Sequence, residues 1–479
     1  MININKITGT KKASSLLNAL HLNTSYGSTQ NGALTFTRTE SALLDFFAQA
    51  GAMRSKSKEA LDLFKAAFIE DKEKAIRILF YLRDVRGGQG ERLLFRNCLE
   101  WIGEEYPEVF TQIINMIPEY GRWDDMFFDH PKALEMIKKQ LENDLKSDSP
   151  SLLAKWMPTI NASSSTTKAK AKHFAKLLGM TEVQYRKTIR TIREKIATVE
   201  EKMAANKWSE IHYPSVPSQA NRIYKNAFQK RDPERYTSHI QSVLEGKSKI
   251  NASTLYPYQI YNSVQTNYSE ALEALWKSLP DYTSDKNALV VADTSGSMTG
   301  TPMSVSVSLA LYFAERNKGI FHNHFISFSA VPKLHSIKGS TLKEKMNSIQ
   351  LGDIANTNIS AVFDLILNTA IQNNILKEEM PEVLYIISDM EFDQAVTGET
   401  NFQYFKREYE NRGFTLPSIV FWNINASGSN LPVRANEGNV SLVSGCSPAI
   451  FKMAVSGKTP FETMMETINS PRYSNIIIK

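Results

Sequence analysis

Hydrophobic residues along this chain follow two rhythms, and the change between them falls near residue 280. From Ser41 onward apolar positions recur every three or four residues. Leu43, Leu44, Phe46 and Phe47 form one cluster, and Ala60, Leu61, Leu63, Phe64, Ala67 and Phe68 continue as a single helical face. The pattern runs through 74–82, is interrupted by Gly87, Gly88 and Gly90, and resumes over 93–102 before Pro107. Further helices are predicted at 108–116, 123–127, 132–145, 152–157, 168–178 and 183–203. Strand patterns are scarce over this whole stretch. Such a succession implies antiparallel helix pairs that bury their faces on neighbours, an irregular HEAT-like array without a fixed repeat period.

The text loosens around 251–285, where Pro257, several tyrosines and the run Pro280 to Asp285 mark a domain boundary. Beyond it come short β-branched apolar runs at 288–292, 325–328, 383–387, 418–422 and 440–443. Helical stretches are predicted between and after them, at 303–316, 359–371, 402–412 and 449–455. Strands alternating with helices predict a doubly wound, mostly parallel sheet. The fold class expected is therefore α plus α/β. It comprises an irregular or strand-like N-terminal arm over 1–40 that is not a packed element, a helical-repeat domain over 41–270 and a sheet domain over 285–479.

Composition narrows the class without changing the architecture. At 479 residues the chain exceeds the roughly 100–200 residues of one ordinary core. Its 42% apolar and 22% charged residues are those of a globular protein, and disordered or fibrous classes are excluded. Cys98 and Cys446 are too few and too distant for a disulfide framework, so both are expected as free thiols in a reducing compartment. Neither a secretory signal nor a membrane-spanning apolar run is legible, so a cytoplasmic protein without membrane contact is expected.

Charge is distributed unevenly. Residues 168–249 hold eighteen Lys and Arg against eight Asp and Glu, an excess of ten, while the whole chain carries only +6. A polyanion can be attracted there, although a basic helix face is as often merely solvated.

Candidate chemistry lies at the ends of the predicted strands, because an open parallel sheet binds ligands beyond its carboxyl edge. The first strand runs into Asp293-Thr294-Ser295-Gly296-Ser297, a later loop holds Asn356-Thr357-Asn358, and a third strand ends in Ser388-Asp389. Two carboxylates and three hydroxyls suit one hard divalent cation, magnesium foremost, with manganese or calcium as alternatives. Ser295, Ser297 and Thr357 are expected to contact the ion directly, with Asp293 and Asp389 acting through water. An ion with few direct carboxylates stays electrophilic and attracts an outside acidic ligand. The competing reading is that Asp293 and Ser297 merely cap the helix near Pro302. Glu391 and Asp393 are expected as helix N-terminal charges in preference to extra ligands.

This set, Asp-x-Ser-x-Ser followed by a distant Thr and then an Asp on successive strands, resembles the metal-ion-dependent adhesion site of von Willebrand A domains. With Tyr120-Gly121-Arg122-Trp123-Asp124-Asp125 and Lys155-Trp156-Met157-Pro158, the chain resembles von Willebrand A proteins of plants, fungi and large viruses from about Ser41 onward. More distantly, in domain order and helical character, it is similar to TROVE proteins of the Ro type. Ro-like proteins bind structured small RNAs or single-stranded RNA ends, so the resemblance implies an RNA partner. Lys168, Lys170, Lys172, Arg186, Lys187, Arg190 and Arg193 are the candidates, with 186, 190 and 193 on one helix face. Tyr185 could stack a base, though a core role fits it better.

The turn Arg83-Asp84-Val85-Arg86-Gly87-Gly88-Gln89-Gly90-Glu91-Arg92 adds Arg83 and Arg86 as anion contacts, its glycines suiting a tight turn with exposed amides. Alternatively Arg83 and Arg92 pair with Asp84 and Glu91, and the glycines are plain turn residues. An enzyme is disfavoured. No paired-metal carboxylate set is evident, the Gly296 to Gly300 segment is no nucleophile elbow, and His322, His324 and His335 suit core or surface roles. The sequence thus points to a non-enzymatic RNA-binding protein with a metal-dependent partner-binding domain, or alternatively to a metal-dependent interaction scaffold without RNA.

Overall fold

Helices dominate the first 280 residues of the computed structural model, which describes residues 25–352, 356–426, 428–453 and 457–479. Ala42–Gln49, Ser57–Glu70, Lys72–Arg83 and Leu93–Glu105 pack their apolar faces into one core. Each start has a local cause: Ser41 accepts the Leu44 N–H, and Asp71 accepts that of Lys74. Later come Pro131–Lys146, Ser165–Leu177, Glu182–Ile196, Ser218–Arg231 and Pro233–Leu244. The expected helix 183–203 is two: it stops at Ala197, whose φ of 50° is left-handed, and restarts as Val199–Ala204. The stretch 123–127 is a short 3-10 turn, Trp123–Met126.

The expected loose boundary is structured. Pro257–Thr266 and Glu270–Lys277 are helices, and the second is tied to the helix Thr301–Arg316. Trp276 Nε1 donates to Glu315 at 2.6 Å, and Arg316 Nη2 donates to the Trp276 carbonyl at 2.8 Å.

The C-terminal unit is a six-stranded mixed sheet. Its strands are β3 (Ala288–Asp293), β4 (His324–Phe328), β5 (Lys333–Ser336), β6 (Val383–Ser388), β7 (Ser418–Asn423) and β8 (Val440–Ser444). The order is β5-β4-β3-β6-β7-β8, and every pairing is parallel except that of the edge strand β5. Alternate residues feed two cores. Val290, Ala292, Tyr385, Ile387, Val420 and Trp422 join the core shared with the helical half. Leu289, Val291, Leu384, Ile386, Ile419 and Phe421 face a second core, with Phe363 and Phe405 from the helices Ile359–Gln372 and Asn401–Asn411. Both faces are covered, which is why β3, β6 and β7 read as unbroken apolar runs. The strand β5 and the helices Leu342–Ser348 and Pro460–Ile468 had no expectation. Over 449–455 only a 3-10 turn, Pro448–Lys452, is present; residues 454–456 lie outside the described part.

The N-terminal arm is strand-like where it is described, but it is packed, whereas an unpacked arm was expected. Residues 1–24 lie outside the described part, but Tyr26–Ser28 (β1) and Leu34–Phe36 (β2) form an antiparallel hairpin packed on the sheet unit. Phe36 exchanges two backbone hydrogen bonds with Leu431, at 3.0 and 2.9 Å.

The glycine-rich turn, expected to expose amides to an anion, is instead part of the seam between the two halves. Asp84 is fully buried, and its carboxylate accepts from Arg472 Nε at 2.6 Å and from the Tyr473 hydroxyl at 3.1 Å. Gln89 is also fully buried, donating to the Tyr81 hydroxyl at 2.7 Å and accepting from the Ser447 N–H at 3.3 Å. A Cβ on Gly88 would lie 1.8 Å from the Tyr81 carbonyl oxygen, so close approach of backbones explains that glycine. Arg83 pairs with Asp125 at 2.7 Å and Glu91 with Arg54 at 2.6 Å; the expected pairing within the turn is replaced by partners outside it.

Cys98 and Cys446 are buried free thiols. Among the described residues, no helix is long and apolar enough to cross a membrane.

Asp45, in the first helix, offers a test of this packing. Burial pushes its carboxyl up to about 6, against the opposing pull of the Thr39 hydroxyl and N–H, both of which donate to Oδ1. The native state therefore holds a proton that the unfolded chain releases near pH ~4, and stability falls as pH rises from about 4 through 6. Asp45→Asn keeps the acceptor and removes the charge. It is expected to flatten the slope between pH 4 and 6 and to raise stability at pH 7 by on the order of 2 kcal/mol. Urea unfolding at several pH values reads this out, and an unchanged slope would refute it.

Candidate metal centre

The order of strands reverses about β3: the chain passes from β3 to β4 on one side and later to β6 on the other. The carboxyl ends of β3 and β6 consequently flank a crevice, the place where open α/β sheets bind ligands. Asp293 closes β3 level with Ser388, the last residue of β6, and Asp389 follows directly, near enough for its charge to act on Asp293.

Both are buried, Asp293 completely and Asp389 to 1% exposure. Asp293 Oδ1 accepts from the Ser295 N–H at 2.9 Å, and Oδ2 accepts from the Ser388 hydroxyl at 2.5 Å. Asp389 Oδ1 accepts from the Glu391 N–H at 3.2 Å, while its Oδ2 is buried without a hydrogen-bond partner. Among the described residues neither carboxylate pairs with a cationic side chain. Burial, then the charge of Asp389, pushes Asp293 up to about 7. Burial also raises Asp389, against the pull of the nearby Ser297 hydroxyl.

The hydroxyls lie around this pair. Ser295 Oγ and Ser297 Oγ are 3.2 Å apart; Ser295 is buried and Ser297 exposed, so the crevice opens to solvent there. The helix Thr301–Arg316 begins at Gly300, whose φ is 92°, with no side-chain cap, so Asp293 and Ser297 do not act as its caps. Thr357 is buried on the neighbouring loop, where its carbonyl accepts the Asp393 N–H at 2.9 Å and that of Ile359 at 3.0 Å. Asn358 accepts the Ala361 N–H at 3.1 Å and caps the helix that follows. The Thr357 loop is thereby tied to the loop that follows β6, through Asp393, and to the end of β4, through the Ser329 carbonyl, which accepts the Asn358 N–H at 3.0 Å. Among the described residues no group of three or more His, Cys, Asp and Glu is placed so that it could hold a metal ion by itself. Two carboxylates with hydroxyls, one carboxylate oxygen being orphaned, fit a hard cation that keeps several waters.

Glu391 and Asp393 lie in a loop ahead of the helix Asn401–Asn411, and so are not helix N-terminal charges. Glu391 anchors the hairpin instead. Its Oε2 accepts the Gln30 N–H at 2.8 Å, its Oε1 the Asn430 amide at 2.7 Å, and its carbonyl the Asn31 amide at 2.6 Å. Thr29 Oγ1 adds a bond to the Phe392 carbonyl at 2.7 Å. Met390, directly after Asp389, has a φ of 67°, a strained conformation for a bulky side chain, of the kind that clusters at functional sites. Sequence reading missed Ser388, Gln30, Asn31 and Asn430. Ser388 adjoins Asp389 and lay in view, whereas the hairpin contacts have no local signal.

The proposed RNA contacts divide. Lys168, Lys170, Lys172, Arg186, Lys187 and Arg190 are exposed on the helices Ser165–Leu177 and Glu182–Ile196. Lys172 pairs with Glu182 at 3.2 Å and Arg190 with Glu194 at 2.8 Å. Arg86 is exposed and donates to the Glu119 carbonyl at 3.1 Å. Arg83, at 3% exposure and ion-paired, is withdrawn from any surface. Arg193 turns inward, donating to the Ala154 and Met157 carbonyls and to the Thr159 hydroxyl, so 186, 190 and 193 do not form one accessible row. Tyr185 is buried and donates to the Pro158 carbonyl at 2.9 Å, which leaves no face for a base. Ser327 and His335, 2.6 Å apart, are both buried, and burial pushes the histidine down to about 4; this pair is structural.

Residues 29–119 and 125–293 match the model of a domain of unknown function, DUF2828, and residues 287–475 match that of another, DUF7788. An uncharacterised protein of Acanthamoeba polyphaga mimivirus is 27% identical over 487 aligned residues, covering 90% of this chain and 84% of the viral protein.

The carboxylate pair yields a signed prediction. In metal-free protein at pH 8, Asp293→Asn removes one of two adjacent buried charges while keeping an oxygen acceptor. It is expected to raise the melting temperature, by about 2–4 °C per kcal/mol of relieved repulsion. Calorimetry in chelator reads this out, and a fall in melting temperature would show that the repulsion does not govern the site.

Proposed function

The chain belongs to the DUF2828 family, and for it we propose metal-dependent, non-enzymatic partner binding by a von Willebrand A type domain over 285–479, joined to an RNA-binding helical half. One observation carries the metal reading: two buried carboxylates share the crevice at the reversal of strand order, with an orphaned Asp389 Oδ2 and no basic partner among the described residues. Removing two charges from water without compensation is costly, and a bound cation supplies the compensation. The order of strands, with one antiparallel edge, supports the same domain type.

Ser295, Ser297, Thr357, Asp293 and Asp389 would hold the ion, magnesium foremost. When bound, it supplies an electrophilic position open to an acidic group of a partner protein. The chain's own contribution is to fix the donors. Ser388 orients Asp293, the Glu391 N–H orients Asp389, and the hairpin holds Glu391. The free thiols suit a cytoplasmic setting.

In 1 mM magnesium or manganese the protein is expected to melt higher than in chelator, by the equivalent of about 2.7 kcal/mol if the concentration is 100 times the dissociation constant. Asp389→Ala abolishes that shift. Titration calorimetry without heat for magnesium, manganese and calcium alike would end the metal reading.

RNA binding draws support from the exposed cations of the helices Ser165–Leu177 and Glu182–Ile196. Affinity for a single-stranded RNA is expected to fall linearly on a log–log plot against salt, with a slope of about −0.7 for each phosphate neutralised. Replacing Lys168, Lys170 and Arg186 by Gln is expected to flatten it. No binding at 50 mM salt would leave the alternative, a metal-dependent scaffold without RNA.

A further inference from the structure

A surface cavity of about 400 Å³ lies where the helical half begins, its wall made by Ala50, Met53, Ser57, Gly90, Leu93 and Leu94 with Arg54, Arg92, Arg96 and one carboxylate, Glu91, which Arg54 already neutralises. It belongs neither to the metal crevice nor to the basic helices 165–177 and 182–196.

The charges around it do not balance. Arg83 and Arg96 share Asp125 at 2.7 and 2.8 Å, Arg96 and Arg122 share Asp124 at 2.8 and 2.6 Å, and Arg54 takes Glu91 at 2.6 Å. Three carboxylates thereby serve four guanidinium groups. The fifth, Arg92, has neither a hydrogen bond nor an ion pair among the described residues. Partial desolvation, then the neighbouring Arg122 charge, holds Arg92 below the ordinary arginine value. Guanidinium groups cannot shed the proton at physiological pH, so the surplus persists until an anion neutralises it.

The cavity wall adds chemistry of its own. Ser57 offers a hydroxyl, and the planar fork of Arg92 matches two oxygens of a phosphate or carboxylate. Ala50, Met53, Leu93 and Leu94 give the cavity an apolar side that inorganic anions leave unused.

We propose that this cavity is a binding site for a small phosphomonoester with an apolar or aromatic body, its phosphate held by Arg92 with Arg54, Arg96 and Ser57. The tetrahedral dianion suits the surplus of positive charge better than a monovalent carboxylate, and the apolar side receives the organic group. The site is independent of the metal reading and of RNA binding.

Inorganic phosphate and phenyl phosphate are the probes, measured on the full chain in chelator by titration calorimetry and thermal shift, with sodium chloride at matched ionic strength. Phosphate is expected to stabilise the protein beyond chloride, and phenyl phosphate to bind more tightly than phosphate. Arg92→Gln is expected to weaken both roughly tenfold or more, the loss of a charge-assisted hydrogen bond, and Arg92→Lys to recover part of it. Lys406→Gln, on the exposed side of the helix Asn401–Asn411, leaves both unchanged. The proposal is overturned if neither probe exceeds chloride, or if Arg92→Gln, with unaltered circular dichroism, binds both as the wild type does.

Discussion

Two buried carboxylates, with no base to answer them among the described residues, set the terms for the C-terminal half. Parallel pairing of β3 with β6 brings Asp293 and Asp389 to one edge of the sheet, and full burial of both strands denies them solvent. A group so placed either keeps a proton or meets a positive charge. The local hydrogen bonds, from Ser388, from the Ser295 N–H and from the Glu391 N–H, temper the cost without supplying a counter-charge. The strained Met390 is part of that arrangement, because the loop must turn sharply to hold Asp389 over the crevice.

That crevice has a rigid floor because the sheet is covered on both sides. One face is packed mostly within its own unit, with Phe36 and Ala48 added from the start of the chain, and the other merges with the helical half, so the two halves share a core. The seam at the Asp84 turn has the same character. Asp84 and Gln89 are polar side chains fully buried between halves, each satisfied by partners from the far end of the chain. Buried polar groups of this kind favour one docking geometry, since any other leaves them unpaired.

Much of this was legible in the sequence, for identifiable reasons. The five apolar strands stood out because strands buried on both faces read as continuous Val, Ile and Leu, and the metal loops stood out because they follow those strands. The edge strand β5, Lys333-Leu334-His335-Ser336, is largely exposed and shows no apolar run. The helices at 257–266 and 270–277 were hidden by Pro257 and the tyrosines, although Pro257 sits in the first turn, where proline is tolerated. Arg83 and Arg193 illustrate a different limit: helical spacing gives the side of a helix, but only the tertiary partner decides whether that side meets water or Asp125. The hairpin could not have been anticipated, since its partners lie about 360 residues away.

That separation bears on how the protein is made. The hairpin leaves the ribosome well before Glu391, Phe392 and Leu431, on which it closes and which are synthesised some 360 to 400 residues later. At about 5–20 residues per second the interval is on the order of 20–80 s, long compared with the folding of a helical pair. During translation the helical half must therefore hold a partly exposed apolar flank, with the hairpin trailing beside it. That flank stays uncovered until the residues on which the hairpin closes have been added.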